Sequence, residues 1–172
     1  NKVFHLESAC FSDLNQLRNV ILNNNNLKRL FKTMFDKTSI FYSLDLSFND
    51  IEIIEDNTFE SMKFLFDLNL KNNKITSINN RTFNSLFYLR QLNLEGNQIK
   101  NIRKHFWKDL PNLITLNLNK NNLEILFNNT FELLTNLRTL MLGNNKKLEI
   151  HLNTFKGIEF LVSINLGGNR LD

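Results

Sequence analysis

Apolar residues return along this chain at fixed offsets within a repeat, each framework position recurring once per period of 24. Counting Leu17 as position one, that position is Leu17, Phe41, Leu65, Leu89, Leu113, Leu137 and Leu161. Position four holds Val20, Leu44, Leu68, Leu92, Leu116, Leu140 and Ile164, and position six holds Leu22, Leu46, Leu70, Leu94, Leu118, Leu142 and Leu166. Apolar residues two apart with polar ones between predict a short strand with one buried face. Position eleven is Val3, Leu27, Ile51, Ile75, Ile99, Leu123 and Leu171, with one break where Lys147 stands there and Leu148 follows it. Position fourteen runs from Leu6 through Leu30, Ile54, Ile78, Ile102 and Leu126 to Ile150. Position nineteen is aromatic throughout, as Phe11, Phe35, Phe59, Phe83, Trp107, Phe131 and Phe155, which helps explain 16 Phe in 172 residues.

One polar residue keeps the same period. Asn1, Asn25, Asn49, Asn73, Asn97, Asn121, Asn145 and Asn169 all fall at position nine, just after the predicted strand. A chain that bends out of a strand leaves N–H and C=O groups unpaired, and an amide side chain both donates and accepts. The row is therefore predicted to be a structural ladder between stacked repeats. It carries no chemistry.

On these residues the chain resembles the leucine-rich-repeat family, in its typical 24-residue class, with the pattern L-x-x-L-x-L-x-x-N-x-L-x-x-L followed by F-x-x-L. Leu65 to Tyr88 match it at every framework position. The resemblance implies an α/β repeat solenoid: a curved horseshoe segment with about seven parallel strands on the concave face, and loops and short helical turns on the convex face. It implies one domain over 1–172, with repeats starting near 17, 41, 65, 89, 113, 137 and 161, partial repeats at both ends and no caps. The parent is then expected to continue in both directions, and any membrane attachment to lie outside this chain. The same class, in Toll-like receptors, Slit-like guidance proteins and matrix proteoglycans, implies an extracellular location, secreted or in an ectodomain. The implied function is non-catalytic recognition of a protein or glycan, with a matrix scaffold or dimerisation spacer as the alternative.

Positions three, five and seven flank the buried strand residues and so face the concave side. They are amide-rich and mixed in charge, and solenoids commonly bind through such a face. The candidate partner-binding residues are Ile21, Asp45, Asp67, Asn69, Gln91, Asn93, Asn117 and Met141, with Tyr42 and Phe66 on the border. For the last two, stacking on each other competes with partner contact. Phe48, beside Asn49, is read as packing over the turn.

Charge narrows the list of partners. The net charge is +4, but Arg18, Lys71, Arg90, Lys120 and Arg138 on or beside the inner face alternate with Asp45, Asp67 and Glu95, so no basic stripe forms and nucleic acid is not expected. Lys28 with Glu52, Lys32 with Asp56 and Lys100 with Glu124 each share one position in adjacent repeats and are expected to sit side by side. Lys100, Arg103, Lys104 and Lys108 form a second basic set, where a heparin-like contact is the functional alternative to plain solvated charge. His5, His105 and His151 lie in separate repeats, which argues against a metal centre, a cofactor or an acid–base pair. Cys10 is read either as a half-buried residue beside Phe11 or as the partner of a cysteine upstream. Asn80-Arg81-Thr82 and Asn128-Asn129-Thr130 are glycosylation sequons, both at position sixteen on the convex side.

Overall fold

The computed structural model describes residues 3–38 and 40–170; Asn1 and Leu171, members of the position-nine and position-eleven rows, lie outside them. In chain order the strands are β1 (Asn19–Ile21), β2 (Arg29–Leu30), β3 (Ser43–Asp45), β4 (Ile53–Ile54), β5 (Asp67–Asn69), β6 (Gln91–Asn93), β7 (Thr115–Asn117), β8 (Ile125–Leu126), β9 (Thr139–Met141), β10 (Glu149–Ile150) and β11 (Ser163–Asn165). One seven-stranded parallel sheet runs β1-β3-β5-β6-β7-β9-β11, and two small pairs, β2 with β4 and β8 with β10, lie farther along each turn. Neighbours in the large sheet pair at equal positions of adjacent repeats, as Leu44 with Leu68 and Leu68 with Leu92. The convex side holds 3-10 turns at Lys32–Phe35 and Lys104–Trp107. The chain is a parallel-stranded solenoid of stacked turns, the architecture the resemblance implied.

The periodic residues meet where their spacing requires. Leu44, Leu68, Leu92, Leu116 and Leu140 are buried in one continuous core with the leucines of position six from Leu46 to Leu142. Across that core the position-nineteen rings form an unbroken stack from Phe11 to Phe155, with neighbouring centroids 6.2 to 6.5 Å apart. Strands in a sheet repeat at about 4.8 Å. The aromatic wall is thus more widely spaced than the sheet, and the difference bends the solenoid with the sheet inside.

The asparagine row closes each turn. Asn97 accepts from the Ile75 N–H at 3.1 Å and donates to the Leu70 and Leu94 carbonyls at 3.0 Å each. Asn49, Asn73, Asn121 and Asn145 repeat this triad, bonding to the position-eleven N–H of the repeat before and to two position-six carbonyls. Threonine serves the convex turns similarly. Thr58 and Thr154 are buried, and each hydroxyl bonds two carbonyls, one in its own turn and one in the repeat before.

The residue just before each ladder Asn, position eight, has left-handed backbone. It is Asn24 (φ 54), Phe48 (54), Asn72 (52), Gly96 (70), Lys120 (54), Asn144 (58) and Gly168 (75). Asn and Gly adopt this region readily, whereas a bulky side chain there costs roughly 1–2 kcal/mol. Phe48 and Lys120 are the exceptions.

Three sequence expectations change. Cys10 is exposed rather than half-buried. The three expected ion pairs do not form: Lys32 reaches Glu60 instead, as Lys104 reaches Glu132 and Arg29 reaches Glu55, because long side chains extend along the turn to carboxylates beyond the matching position, whereas equal-position pairs form elsewhere, Lys71 with Glu95 and Lys74 with Asp50. Phe48 does not pack closely over its turn, since 48% of it is exposed.

Candidate recognition surface

The seven strands are short, and their outward residues form the floor of the concave face. A shallow hollow of about 450 Å³ lies over the middle of the sheet and gathers Ile21, Asp45, Asp67, Asn69, Gln91, Asn93, Asn117 and Met141. Ile21 closes one end, 72% exposed, and Met141 the other. Tyr42 and Phe66 stand outside the hollow on its rim.

The asparagines on this floor do two jobs. The Oδ1 of Asn69, Asn93 and Asn117 accepts the backbone N–H two residues on, from Lys71, Glu95 and Asn119 at 3.0 to 3.1 Å. Asp45 does the same for Ser47. Each is an Asx turn that ends its strand. The carbonyl side of these amides is committed to the fold, which leaves Nδ2 as the outward donor. Asn117 spends part of that capacity on Glu95 at 3.3 Å. Gln91 makes no side-chain hydrogen bond among the described residues and is exposed.

Charge on the floor is unevenly balanced. Glu95 is bracketed by Lys71 at 3.0 Å and Lys120 at 2.8 Å. The Lys120 hydrogen bond, aided by Lys71 and opposed by partial burial, holds the Glu95 carboxyl below the usual carboxylate range. Asp67 has no cation against it among the described residues; burial, then the nearby Asp45 charge, pushes its carboxyl up. The middle of the sheet is thus neutralised, whereas the stretch over β3 and β5 is acidic.

The border is an aromatic and arginine ladder. The Arg18 guanidinium lies 5.6 Å from the Tyr42 ring, Tyr42 meets Phe66 edge-on at 5.5 Å, and Arg90 lies 5.4 Å from Phe66 on its other side. Tyr88 joins Phe66 at 6.4 Å and Phe64 at 5.7 Å, and Tyr42, Phe64 and Tyr88 are each close to half exposed. The stacking between Tyr42 and Phe66 is therefore present, and it leaves much of the cluster open. Phe64 and Tyr88 were not singled out from the sequence; both sit at position 24, which has no framework role, and an aromatic there was the available signal.

Asn80 and Asn128 are exposed, away from the hollow. The threonines of their sequons, Thr82 and Thr130, belong to the buried convex row, which explains them without reference to sugar.

A family model described as leucine rich repeat matches residues 39–99 and 87–146. The chain belongs to the leucine-rich-repeat family. Its solenoid is of the Toll-like type. It superposes on TLR13 in the TLR13–ssRNA13 complex with a TM-score of 0.95 and 33% identity, covering 99% of this chain and 24% of that one. It superposes on Drosophila Toll in a glycosylated complex with Spatzle at a TM-score of 0.90 and 23% identity, again covering 99% and 24%. A Leptospira interrogans leucine-rich-repeat protein gives 0.84 and 27%, covering 99% and 42%. The chain thus spans about a quarter of the first two proteins and under half of the third. A search of curated protein sequences finds no match. The repeat family and the likeness to TLR13 give this chain the solenoid of a receptor-like protein-interaction module. With an RNA complex among the similar structures, the exclusion of nucleic acid read from the sequence has no support from the comparisons. Among the described residues, no helix is long and apolar enough to cross a membrane.

Proposed function

We propose that this chain is part of the ligand-binding region of an extracellular or lumenal receptor, and that it takes a protein ligand through the concave sheet and its aromatic border without catalysing a reaction. The observation that carries the reading is the hollow over β3 to β7, a polar floor of outward amide donors with an open aromatic and arginine rim beside it. Tyr and Arg beside a polar, water-accessible floor are the residue types that supply most of the energy at protein interfaces. Toll in the similar structure is held with Spatzle, a protein, which favours the same class of partner here.

TLR13 is held with single-stranded RNA, and the stacked rings and arginines of the border would suit bases. The floor opposes that reading. Asp45 and Asp67 face the hollow with no cation paired to either among the described residues, so a phosphate backbone laid along it would meet like charge. A single domain over 1–172 and surface sugar at Asn80 and Asn128 fit the same picture of a decorated convex wall and a free concave one. A homodimer through the border, or a matrix scaffold that leaves the concave face unused, is the alternative assembly.

Position 91 is the cleanest probe, because Gln91 is exposed and holds no part of the turn, unlike the neighbouring asparagines. A photo-reactive residue is placed at position 91, 42 or 129 in the whole protein on cells. Cross-linking to one protein from 91 and 42, absent from 129 on the convex side and reduced at least tenfold by Thr115→Arg, is the expected result. Cross-linking from 129 alone would remove the concave site.

A further inference from the structure

Among the described residues the ladder changes register once, and the change opens a cleft. In every repeat from Asn49 to Asn145 the ladder Oδ1 accepts from the position-eleven N–H of the repeat before. The next acceptor, Asn169 Oδ1, takes the N–H of Asn145 itself at 2.6 Å, two residues early. The cause is the sequence break at Lys147. Leu148 is buried in the place of the position-eleven side chain, and Lys147 is turned out. The chain coils to allow it, with Leu148 N–H on the Asn145 carbonyl at 3.0 Å.

The backbone link that closes each earlier step is lost with it. The residue after each ladder Asn donates to the position-eleven carbonyl of the repeat before, as Asp50 to Leu27, Lys74 to Ile51, Gln98 to Ile75 and Asn122 to Ile99, at 2.9 to 3.0 Å. Lys146 makes no such bond to Leu123, and among the described residues the Lys146 and Lys147 N–H groups and the Leu123 carbonyl have no partner. The two turns part here, leaving an open cleft of about 660 Å³. That volume is in the range of small-ligand sites.

Its lining is basic. Lys100, Lys120, Lys146 and Lys147 surround it, against Glu124 alone. Lys120 is held by Glu95, but Lys100, Lys146 and Lys147 form no ion pair among the described residues. The basic set seen in the sequence is thereby redistributed: Lys104 goes to Glu132 and Arg103 covers the Phe127 ring, whereas Lys100 faces the cleft.

We infer that this cleft binds an anionic saccharide unit, one carrying sulfate or phosphate groups, at a site separate from the concave face. Three ammoniums and two backbone N–H groups without a partner among the described residues attract tetrahedral oxyanions, and the Asn122 and Asn144 side chains supply neutral partners for hydroxyls. Lysine is a compact point charge suited to several oxyanion positions. No aromatic ring lines the cleft, so a nucleobase finds no stacking surface, and this favours a saccharide over a nucleic acid.

The test uses the whole protein at near-physiological salt with four probes: a heparin tetrasaccharide, its desulfated counterpart, inorganic phosphate and an oligouridylate. Saturable tetrasaccharide binding that desulfation weakens at least tenfold is expected, with phosphate competing only weakly if the sugar contributes; phosphate competing as well as the tetrasaccharide would reduce the ligand to a free anion and overturn the saccharide assignment. Lys146→Gln with Lys147→Gln, both exposed, is expected to weaken binding at least tenfold. The exchange Lys147→Leu with Leu148→Lys keeps the charge and restores the repeat pattern, and it is expected to close the cleft and weaken binding as much. Tetrasaccharide affinity within twofold of the original in either variant would overturn the proposal, as would tighter binding of the oligouridylate or no binding of the tetrasaccharide at millimolar concentration.

Discussion

Two turns one repeat apart, 121–124 and 145–148, begin with the same asparagine and end differently. At the first, Leu123 enters the core and its N–H meets Asn145. At the second, a lysine occupies the same position, the leucine comes one residue late, and Asn145 must itself supply the N–H that Asn169 accepts. A solenoid tolerates such a slip because each repeat contacts only its neighbours. The contrast teaches that the asparagine ladder is held by its two carbonyl partners as much as by its donor: Asn169 keeps both, Leu142 and Leu166, at 3.0 and 2.9 Å even when the donor changes.

The largest effect expected from pressing on this contrast is at the regular turn. Asn97→Ala strands the Ile75 N–H in the interior and leaves the Leu70 and Leu94 carbonyls one ladder donor each, from Asn73 and Asn121, and should cost about 3 kcal/mol. Asn169→Ala, at a half-exposed position, should cost about 1–2 kcal/mol. Urea unfolding of the two variants measures both, and equal losses would contradict the ladder's graded role. Removing the slip comes next. Lys147→Leu with Leu148→Lys restores the usual frame and is expected to raise stability by about 1 kcal/mol, the net worth of a regained hydrogen bond.

Of similar size is the left-handed position. Phe48→Asn should stabilise by about 1 kcal/mol in thermal unfolding, and Asn72→Phe should destabilise by about as much. Phe48 keeps a strained backbone and an exposed ring, and strain of this kind gathers at binding sites. The same Phe48→Asn variant is therefore expected to lose partner affinity while gaining stability; unchanged affinity would return Phe48 to a purely local role.

The smallest effect is in pH dependence. The folded Glu95 carboxyl lies below its unfolded value, chiefly through Lys120, so its stabilisation is complete above the ordinary carboxylate range and fades as pH falls through the folded value. Glu95→Gln should then destabilise at pH 7 and do little in strong acid. Asp67 has the opposite sign. Its carboxyl is raised by burial and by Asp45, so it costs stability at neutral pH and stops doing so on acidification. Asp67→Asn should stabilise at pH 7, with the gain vanishing at low pH.

Much of this was legible in the letters. The periodic frame set strand register, core and curvature wall, because residues at equal position must stack. Less of the concave face could be read. An Asn at position five looks the same in sequence whether its carbonyl is free or closes an Asx turn, so the commitment of Asn69, Asn93 and Asn117 appears only with backbone geometry. The left-handed backbone at position eight was not read from the sequence, although Asn or Gly stands there in five of the seven described repeats and only Phe48 and Lys120 interrupt them. Lys147 was visible as a departure, but which N–H would reach Asn169 depended on the path of the chain. The pairs expected at Lys28, Lys32 and Lys100 were misplaced because equal spacing describes backbone atoms and ignores the reach of lysine, although Lys71 with Glu95 and Lys74 with Asp50 do pair at equal position.

Amide hydrogen exchange tests the contrast between the two turns most directly. The Ile75, Ile99 and Leu123 N–H groups, each on a ladder Oδ1, should be strongly protected, whereas those of Lys146 and Lys147 should exchange freely and slow when the heparin tetrasaccharide is added. Protection of Lys147 equal to that of Leu123 in the free protein would mean that the ladder runs on unbroken and that no cleft is built there.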